Sequence, residues 1–328
     1  MNFGLAISWR GATIDSTRAI CLEADRLGFD YFWITEAWGL ESLSTAGYLL
    51  GISSRLKIGI GVLNVFSRSA AVIGMACATL DQISGERFLL GIGTSGKTLV
   101  ENWHGASFDL PMKRTREYVD VIRKVARGEI VDFPGDTMKL SGFKLYTKAK
   151  ETSQEIYLGA MGDRNLKLAG EIGDGAIVTM YPISALSRAV ELVRKGDSSD
   201  RKKVFSYLHL KITMNSDETE KARLEVARNI AFYVASMGAY YAKNLCNLGL
   251  EKNVKKIVEA HSVAGSKSAV EAVDDKLIDE LALIGDIEDI REKLSKIPDG
   301  VVPVFVLEAP LNLKIPDLKL DQLKLLME

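Results

Sequence analysis

Short apolar runs rich in β-branched residues recur along the chain and alternate with amphipathic stretches, the signature of repeated β-α units around a parallel sheet. Eight runs stand out, at residues 3–8, 31–35, 57–62, 88–93, 155–160, 175–179, 205–214 and 301–307. They are almost wholly apolar rather than alternating, as strands covered on both faces must be. Eight parallel strands close a barrel, so the predicted fold is α/β, a (β/α)8 TIM barrel. Glycines punctuate the helices between the runs. Asp15 or Ser16 caps a helix that stops at Gly28, and further helices cover 69–84, 114–127, 164–172 and 183–195, stopping at Gly85, Gly128, Gly173 and Gly196. Another runs over 286–297 behind an Asp286 cap.

Two stretches do not fit the repeat. Residues 128–153 contain Val131-Asp132-Phe133-Pro134-Gly135-Asp136, which reads as a hairpin or excursion, and 217–280 is too long and helical for one crossover. Both are read as insertions, the second placing extra helices beside the barrel mouth. No low-complexity linker marks a boundary, so one domain over 1–328 is expected. Lys and Arg number 42 against 43 Asp and Glu, a balance that excludes nucleic acid or an anionic membrane as principal partner. No apolar stretch reaches the ~20 residues of a membrane span. Cys21, Cys77 and Cys246 form no CxxC pair, and His104, His209 and His261 have no metal spacing. A cytoplasmic protein with no metal site and a small-molecule substrate is expected.

A barrel active site forms at the C-terminal strand ends. After the second run comes Thr35-Glu36-Ala37-Trp38-Gly39. Glu36 is the candidate catalytic carboxylate, or alternatively a helix cap or the partner of a cation. Trp38 is placed on the substrate side, where it stacks on a planar ring or covers a loop. The third run carries Gly59, Gly61 and Val62 before Asn64. Its alternate glycines suit close approach of a flat cofactor ring, or simply barrel packing, and Asn64 offers donor and acceptor to a pyrimidine edge. After the fourth run, Gly91 to Thr98 satisfies GxxxxGKT, but no helix follows cleanly, since Trp103-His104-Gly105 and Pro111 intervene; a nucleotide-hydrolysing P-loop is the weaker reading. Thr94 on that loop and Thr179 after the sixth run are candidate cofactor contacts, and His104 a substrate-side one. Gly159-Ala160-Met161-Gly162-Asp163-Arg164 feeds a helix N-terminus, a ready anion site for a cofactor phosphate, unless Asp163 merely caps the helix. His209, in an apolar strand, reads as a satisfied core residue.

Three blocks resemble those of the luciferase-like flavin and F420 enzymes, in the same order along nearly the whole chain. They are Gly28-Phe29-Asp30-Tyr31-Phe32-Trp33 (GFDxxW), Leu80-Asp81-Gln82-Ile83-Ser84-Gly85-Glu86-Arg87 through Gly93 (TLDxISGGR…GxG), and Leu168-Ala169-Gly170-Glu171-Ile172-Gly173-Asp174-Gly175 (LAGExADG). Within that superfamily the chain looks most like the F420-dependent methylenetetrahydromethanopterin reductases, through Gly59 to Asn64 (GxGxxN), Asn229 to Val234 and Ile278 to Asp286. The resemblance implies hydride transfer with coenzyme F420, a cis non-prolyl peptide at Gly61-Val62 behind the deazaflavin ring, and a homodimer or homotetramer. An FMN-dependent monooxygenase is the alternative on the same scaffold, and a non-catalytic cofactor-binding protein the second. Two departures stand out: the family's Asp-His pair after strand two is Glu36-Ala37, and its strand-one glutamate aligns with Ala6. The substrate is left open.

Overall fold

The computed structural model describes residues 1–147, 154–197, 202–308 and 320–326. In chain order the elements are β1 (Gly4–Ile7), α1 (Ile14–Leu27), β2 (Tyr31–Ile34), α2 (Ser42–Ile52), β3 (Lys57–Asn64), α3 (Ala70–Ser84), β4 (Phe88–Gly93), α4 (Lys97–Asn102) and α5 (Pro111–Ala126). Then follow β5 (Val131–Pro134), β6 (Lys139–Phe143), β7 (Ile156–Gly159), α6 (Asp163–Ile172), β8 (Gly175–Thr179), α7 (Leu186–Gly196) and β9 (Lys203–Ile212). The last are α8 (Ser216–Ala235), α9 (Ala239–Leu245), α10 (Glu251–Glu271), α11 (Asp275–Leu281), β10 (Ala282–Gly285), α12 (Ile287–Ser295), β11 (Val301–Leu307) and α13 (Leu320–Leu325).

The eight predicted runs are the eight strands of a closed parallel barrel, in the order β9-β11-β1-β2-β3-β4-β7-β8 and back to β9. The predicted hairpin is the antiparallel pair β5–β6, and the remainder of that excursion, 148–153, lies outside the described residues. The long insertion is α8 to α11, with its own apolar cluster around Val226, Ile230, Val254, Ile257 and Leu281. Three local details differ from expectation. Helix α1 is capped by Thr13, in a reciprocal box with Ser16. Helix α5 begins at Pro111, whose fixed φ suits the first helical turn. Strand β10 is an additional strand: His209 pairs with Val306 of β11 on one side and Ala282 of β10 on the other. Since β8 pairs with β9 only up to Tyr207, β10 takes over that flank above the barrel.

The two-residue strand period turns alternate side chains inward. From β9 these are Lys203, Phe205, Tyr207 and His209; Phe205 and Tyr207 join Trp33, Tyr157, Ile177 and Val304 in the cluster that fills the barrel. Phe205 meets Trp33 and Tyr157 edge-on, with centroids 4.7 and 4.9 Å apart. This filling accounts for the glycines of β3. A Cβ on Gly59 would lie 2.4 Å from the Trp33 ring, and one on Gly61 would lie 1.9 Å from the Tyr207 hydroxyl. Barrel packing, not the approach of a cofactor ring, explains both. An ion-pair layer closes the N-terminal end: Lys57 reaches Glu155 at 2.8 Å, Tyr157 donates to Glu155 at 2.7 Å, and Lys203 donates to the Tyr31 hydroxyl at 2.8 Å.

The blocks that carry the family resemblance are scaffold. Arg87 donates five hydrogen bonds, from Nε to Ser84 O, from Nη1 to Ser53 Oγ and Leu56 O, and from Nη2 to Leu50 O and Ser53 O, at 2.9–3.0 Å. It thereby ties the C-terminal ends of α2 and α3 beneath β4. Asp174 accepts from Ile156 N and from Arg123, both at 2.8 Å, fixing β7 against β8.

Candidate functional site

At the C-terminal mouth the strand ends divide into two kinds of wall. One half is main chain. The Gly61-Val62 peptide is cis, as the resemblance implies, and the ladder between β3 and β4 shifts register there. Val62 turns its side chain onto Gly93 and Gly159, where added Cβ atoms would lie 2.8 and 3.2 Å from its methyls. Gly159 is exposed although it ends a barrel strand, leaving a flat ledge of Val62 and glycine backbone open to solvent. Thr94 and Ala160 border the ledge, and a crevice of about 10 Å³ runs between them beside Gly93, Gly159 and Asn165. Asn64 is buried below, its Oδ1 accepting from Phe66 N at 2.8 Å. Its Nδ2 is a buried donor without a partner among the described residues. Among the predicted cofactor contacts, Ala160 and Met161 have side chains buried in the core between barrel and helices.

Helix α6 starts at this ledge. Its cap is Gly162, and no side chain bonds the first turn. Asp163, read from sequence as a possible cap, instead pairs with Arg188. Arg164 is exposed. The hydroxyl of Tyr240, from α9, faces the backbone N–H groups of Met161 and Gly162 and accepts from Asn165 Nδ2 at 3.3 Å. An oxygen thus stands where the N–H groups and the helix dipole favour an anion. Sequence reasoning missed Tyr240, which reaches α6 from an element 75 residues later.

The other half of the mouth is side chain. Ser8, Thr35, Thr179 and His209 sit at the ends of β1, β2, β8 and the closed part of β9, with Glu308 following β11. Glu41, not Glu36, caps α2, and Glu36 is the partner of a cation. It accepts from Ser42 N and Oγ at 3.0 and 2.6 Å, at the start of α2, and forms a two-pronged pair with Arg68 at 2.8 and 2.9 Å. Arg68 also contacts Glu41. Trp38 is 45% exposed and packs against Trp9, with ring centroids 4.2 Å apart. Arg10 lies over Trp9 at 5.1 Å and over Phe232 of α8 at 3.7 Å, so α8 reaches across this side of the mouth. His104 is half-buried behind α4 and joins none of these groups by a hydrogen bond. His209, expected in the core, is half-buried at the mouth and bonds Asn229 of α8 through Nε2 at 3.0 Å.

The GxxxxGKT match has no P-loop geometry. Gly91 and Gly93 lie inside β4, where a Cβ on Gly91 would meet Ile60 O at 2.2 Å. Gly96 caps the six-residue α4, and Lys97 points to Glu101 with 69% of its side chain exposed. A cavity of about 350 Å³ lies outside the barrel, between α3, α5 and β6, lined by Phe66, Arg114, Tyr118 and Met138. Its lining includes Arg68, the partner of Glu36, but none of the ledge residues Val62, Gly93 and Gly159. The strand ends, not the larger cavity, hold the convergent polar groups.

Comparison with known proteins bears on this mouth. The profile of the luciferase-like monooxygenase family matches residues 1–302. A 5,10-methylenetetrahydromethanopterin reductase of Archaeoglobus fulgidus is 30% identical over 307 residues, covering 90% of this chain and 89% of that protein. A putative coenzyme F420-dependent oxidoreductase of Mycobacterium tuberculosis is 27% identical over 339 residues, covering 97% and 98%. Among solved structures, the coenzyme F420-dependent tetrahydromethanopterin reductase of Methanopyrus kandleri superposes with a TM-score of 0.79 at 24% identity, covering 99% of this chain and 96% of that one.

Proposed function

This chain belongs to the luciferase-like monooxygenase family, and from that premise we propose that it is a coenzyme F420-dependent oxidoreductase transferring hydride between the deazaflavin and an organic substrate. The observation that carries the reading is the ledge of Val62 between Gly93 and Gly159, open at Gly159 and free of any larger side chain. A flat ring fits against it with no Cβ in the way. Two further features fit the group. Asn64 holds a buried amide donor under the ledge with no partner among the described residues, and the start of α6, where the Tyr240 hydroxyl stands against Met161 and Gly162, is a position that favours a phosphate oxygen. The names carried by the two relatives, both F420 or methanopterin enzymes, favour F420 over FMN.

When bound, the deazaflavin supplies the two-electron chemistry, and the chain supplies position and surroundings. Val62 would support the ring, Gly159 and Gly162 would let it approach the backbone, and Thr94, Ala160 and Arg164 would border the remainder of the coenzyme. Thr179 and Trp38 stand at the side-chain half of the mouth, and His104, behind α4, joins none of its groups by a hydrogen bond. Glu36 holds α2 and Arg68 in place, since both its oxygens are engaged. The substrate is a small organic molecule. Titration of the purified protein with F420 and with FMN, followed by fluorescence, tests the reading. F420 binding that is lost in Gly159→Val supports it, whereas tight FMN binding with no F420 response overturns it.

Association with a second copy is part of the same reading. Tyr48, Ile52, Val72, Met75 and Ile83 form an exposed, uncharged face across α2 and α3, of the kind that marks an interface. The solution mass, and its reduction in Met75→Asp, tests it.

A further inference from the structure

The hydride half of such a reaction is assigned to the coenzyme, but the proton half has no owner yet. Glu36 is the carboxylate the sequence singles out, and both its oxygens are already engaged with Ser42 and Arg68. His209 is free to act. The unbroken ladders of β9 with β11 and β10 place it two residues beyond Tyr207, on the same inward face, in the last layer of the barrel. Its Nε2 is 3.0 Å from Asn229 Oδ1. The amide oxygen can only accept, so Nε2 carries the hydrogen. Nδ1 is then the lone-pair nitrogen, and among the described residues it has no hydrogen-bond partner. A histidine whose tautomer is set by a neighbour, and whose other nitrogen is open at an active-site mouth, has the arrangement of a general base.

We propose that His209 is a catalytic residue, that its Nδ1 takes the hydroxyl proton of the substrate while the carbinol C–H leaves as hydride, and that the substrate therefore belongs to the alcohol–carbonyl class. The proposal rests on the F420 reading given above. The step balances. The C–H pair passes to the oxidised deazaflavin, the O–H proton passes to the imidazole, and a C=O bond forms; carbonyl reduction runs the same transfers backwards. Reduction of a cationic C=N centre needs no such base, because it leaves no oxygen to protonate. The hydroxyls of Ser8 and Thr179, at the ends of β1 and β8, suit an oxygen-bearing substrate better than an apolar one, whereas that of Thr35 donates to Ile7 O at 2.7 Å.

The surroundings keep the base neutral. Burial is the largest influence and lowers the His209 pKa below its ordinary value, with Lys211 adding to it; Glu308 and the Asn229 bond pull the other way without winning. Lys211 is itself paired with Glu225 of α8 at 2.5 Å. From β10 the facing partner is Ala282, which carries no charge. Burial and Lys211 both favour the neutral imidazole, the form a proton acceptor requires.

Two readouts test this. The chain has three histidines, so ¹⁵N ring spectra of the protein without coenzyme can be assigned with His104→Gln and His261→Gln variants. His209 is expected as the Nε2–H tautomer, with mixing of tautomers in Asn229→Leu; an Nδ1–H tautomer overturns the assignment. The second readout is turnover of F420 with secondary alcohols from propan-2-ol to cyclohexanol. His209→Asn is expected to lower kcat about 10²–10⁴-fold with the F420 Kd changed less than about twofold, and Asn229→Asp to move the acid limb of the pH profile upward by holding the imidazolium. F420 binding without alcohol turnover, or with His209→Asn as fast as the parent, overturns this proposal alone. Failure to bind F420 at all overturns the coenzyme reading and this proposal with it.

Discussion

Replacing Arg87 by Lys keeps the charge and removes the fork. The guanidinium uses all five of its N–H donors, on the carbonyls of Leu50, Ser53, Leu56 and Ser84 and the hydroxyl of Ser53. A lysine ammonium is a single point with three donors, and it cannot reach carbonyls spread around a planar fork. If it keeps two contacts, three are lost. At about 1 kcal/mol net for each, the cost is about 3 kcal/mol. An unfolding entropy of about 2.1 cal/mol/K per residue over 328 residues is about 0.7 kcal/mol/K, so the melting temperature should fall by about 4 °C. Differential scanning calorimetry of Arg87→Lys and Arg87→Gln measures it, with the glutamine variant falling further. Coenzyme affinity at a temperature well below both transitions should not move, because Arg87 lies under α2 and α3 and not at the mouth. A melting point within about 1 °C of the parent would refute the reasoning, as would unchanged stability with lost F420 binding.

Gly61→Ala should cost about 2 kcal/mol through overpacking, because its Cβ would lie 1.9 Å from the Tyr207 hydroxyl; Tyr207→Phe in the same chain should restore part of the loss, as read by the melting temperature. Glu36→Gln breaks a pair whose side chains are 10% and 19% exposed and should cost about 2 kcal/mol, with Glu41 still holding Arg68. If the pH profile of alcohol oxidation loses a limb in that variant, Glu36 is the proton carrier after all. His209 has a folded pKa below its unfolded value of about 6.5. The unfolded chain therefore binds more protons between those two values, and stability should fall as pH drops through that window, then level off. Urea titrations at a series of pH values should show that decline in the parent and a smaller one in His209→Gln.

The barrel was legible because its signal is local and repeated. Each strand is a short run bounded by turn residues, and the helices stop at glycines such as Gly28 and Gly85, which adopt positive φ. Strand β10 was hidden because α11 ends at Leu281 and the strand begins at Ala282. No breaker separates the two periods. At the site, legibility followed distance along the chain. The Gly61-Val62 bulge was legible because the block that carries it is contiguous, whereas the ledge it forms with Gly93 and Gly159 is assembled from three strands. The partner that occupies Glu36, Arg68, lies 32 residues away, and sequence alone left its roles open. His209 was misread for a related reason. Its neighbours Leu208 and Leu210 are core residues, and only the height at which β8 stops pairing with β9 shows that the strand has already reached the mouth.

The two kinds of wall at that mouth have unequal evolutionary futures. A ledge made of peptide backbone has almost no side chain to vary: substitution at Gly93 or Gly159 can block it but cannot retune it. Across the opening, Ser8, Thr35, Thr179 and His209 can each be exchanged without disturbing the ledge, and α8 reaches over them on an insertion that the barrel does not need for closure. Descendants of such a chain would therefore keep one coenzyme while drifting among substrates, and an engineer wishing to redirect it would leave the glycines alone and diversify the side-chain half.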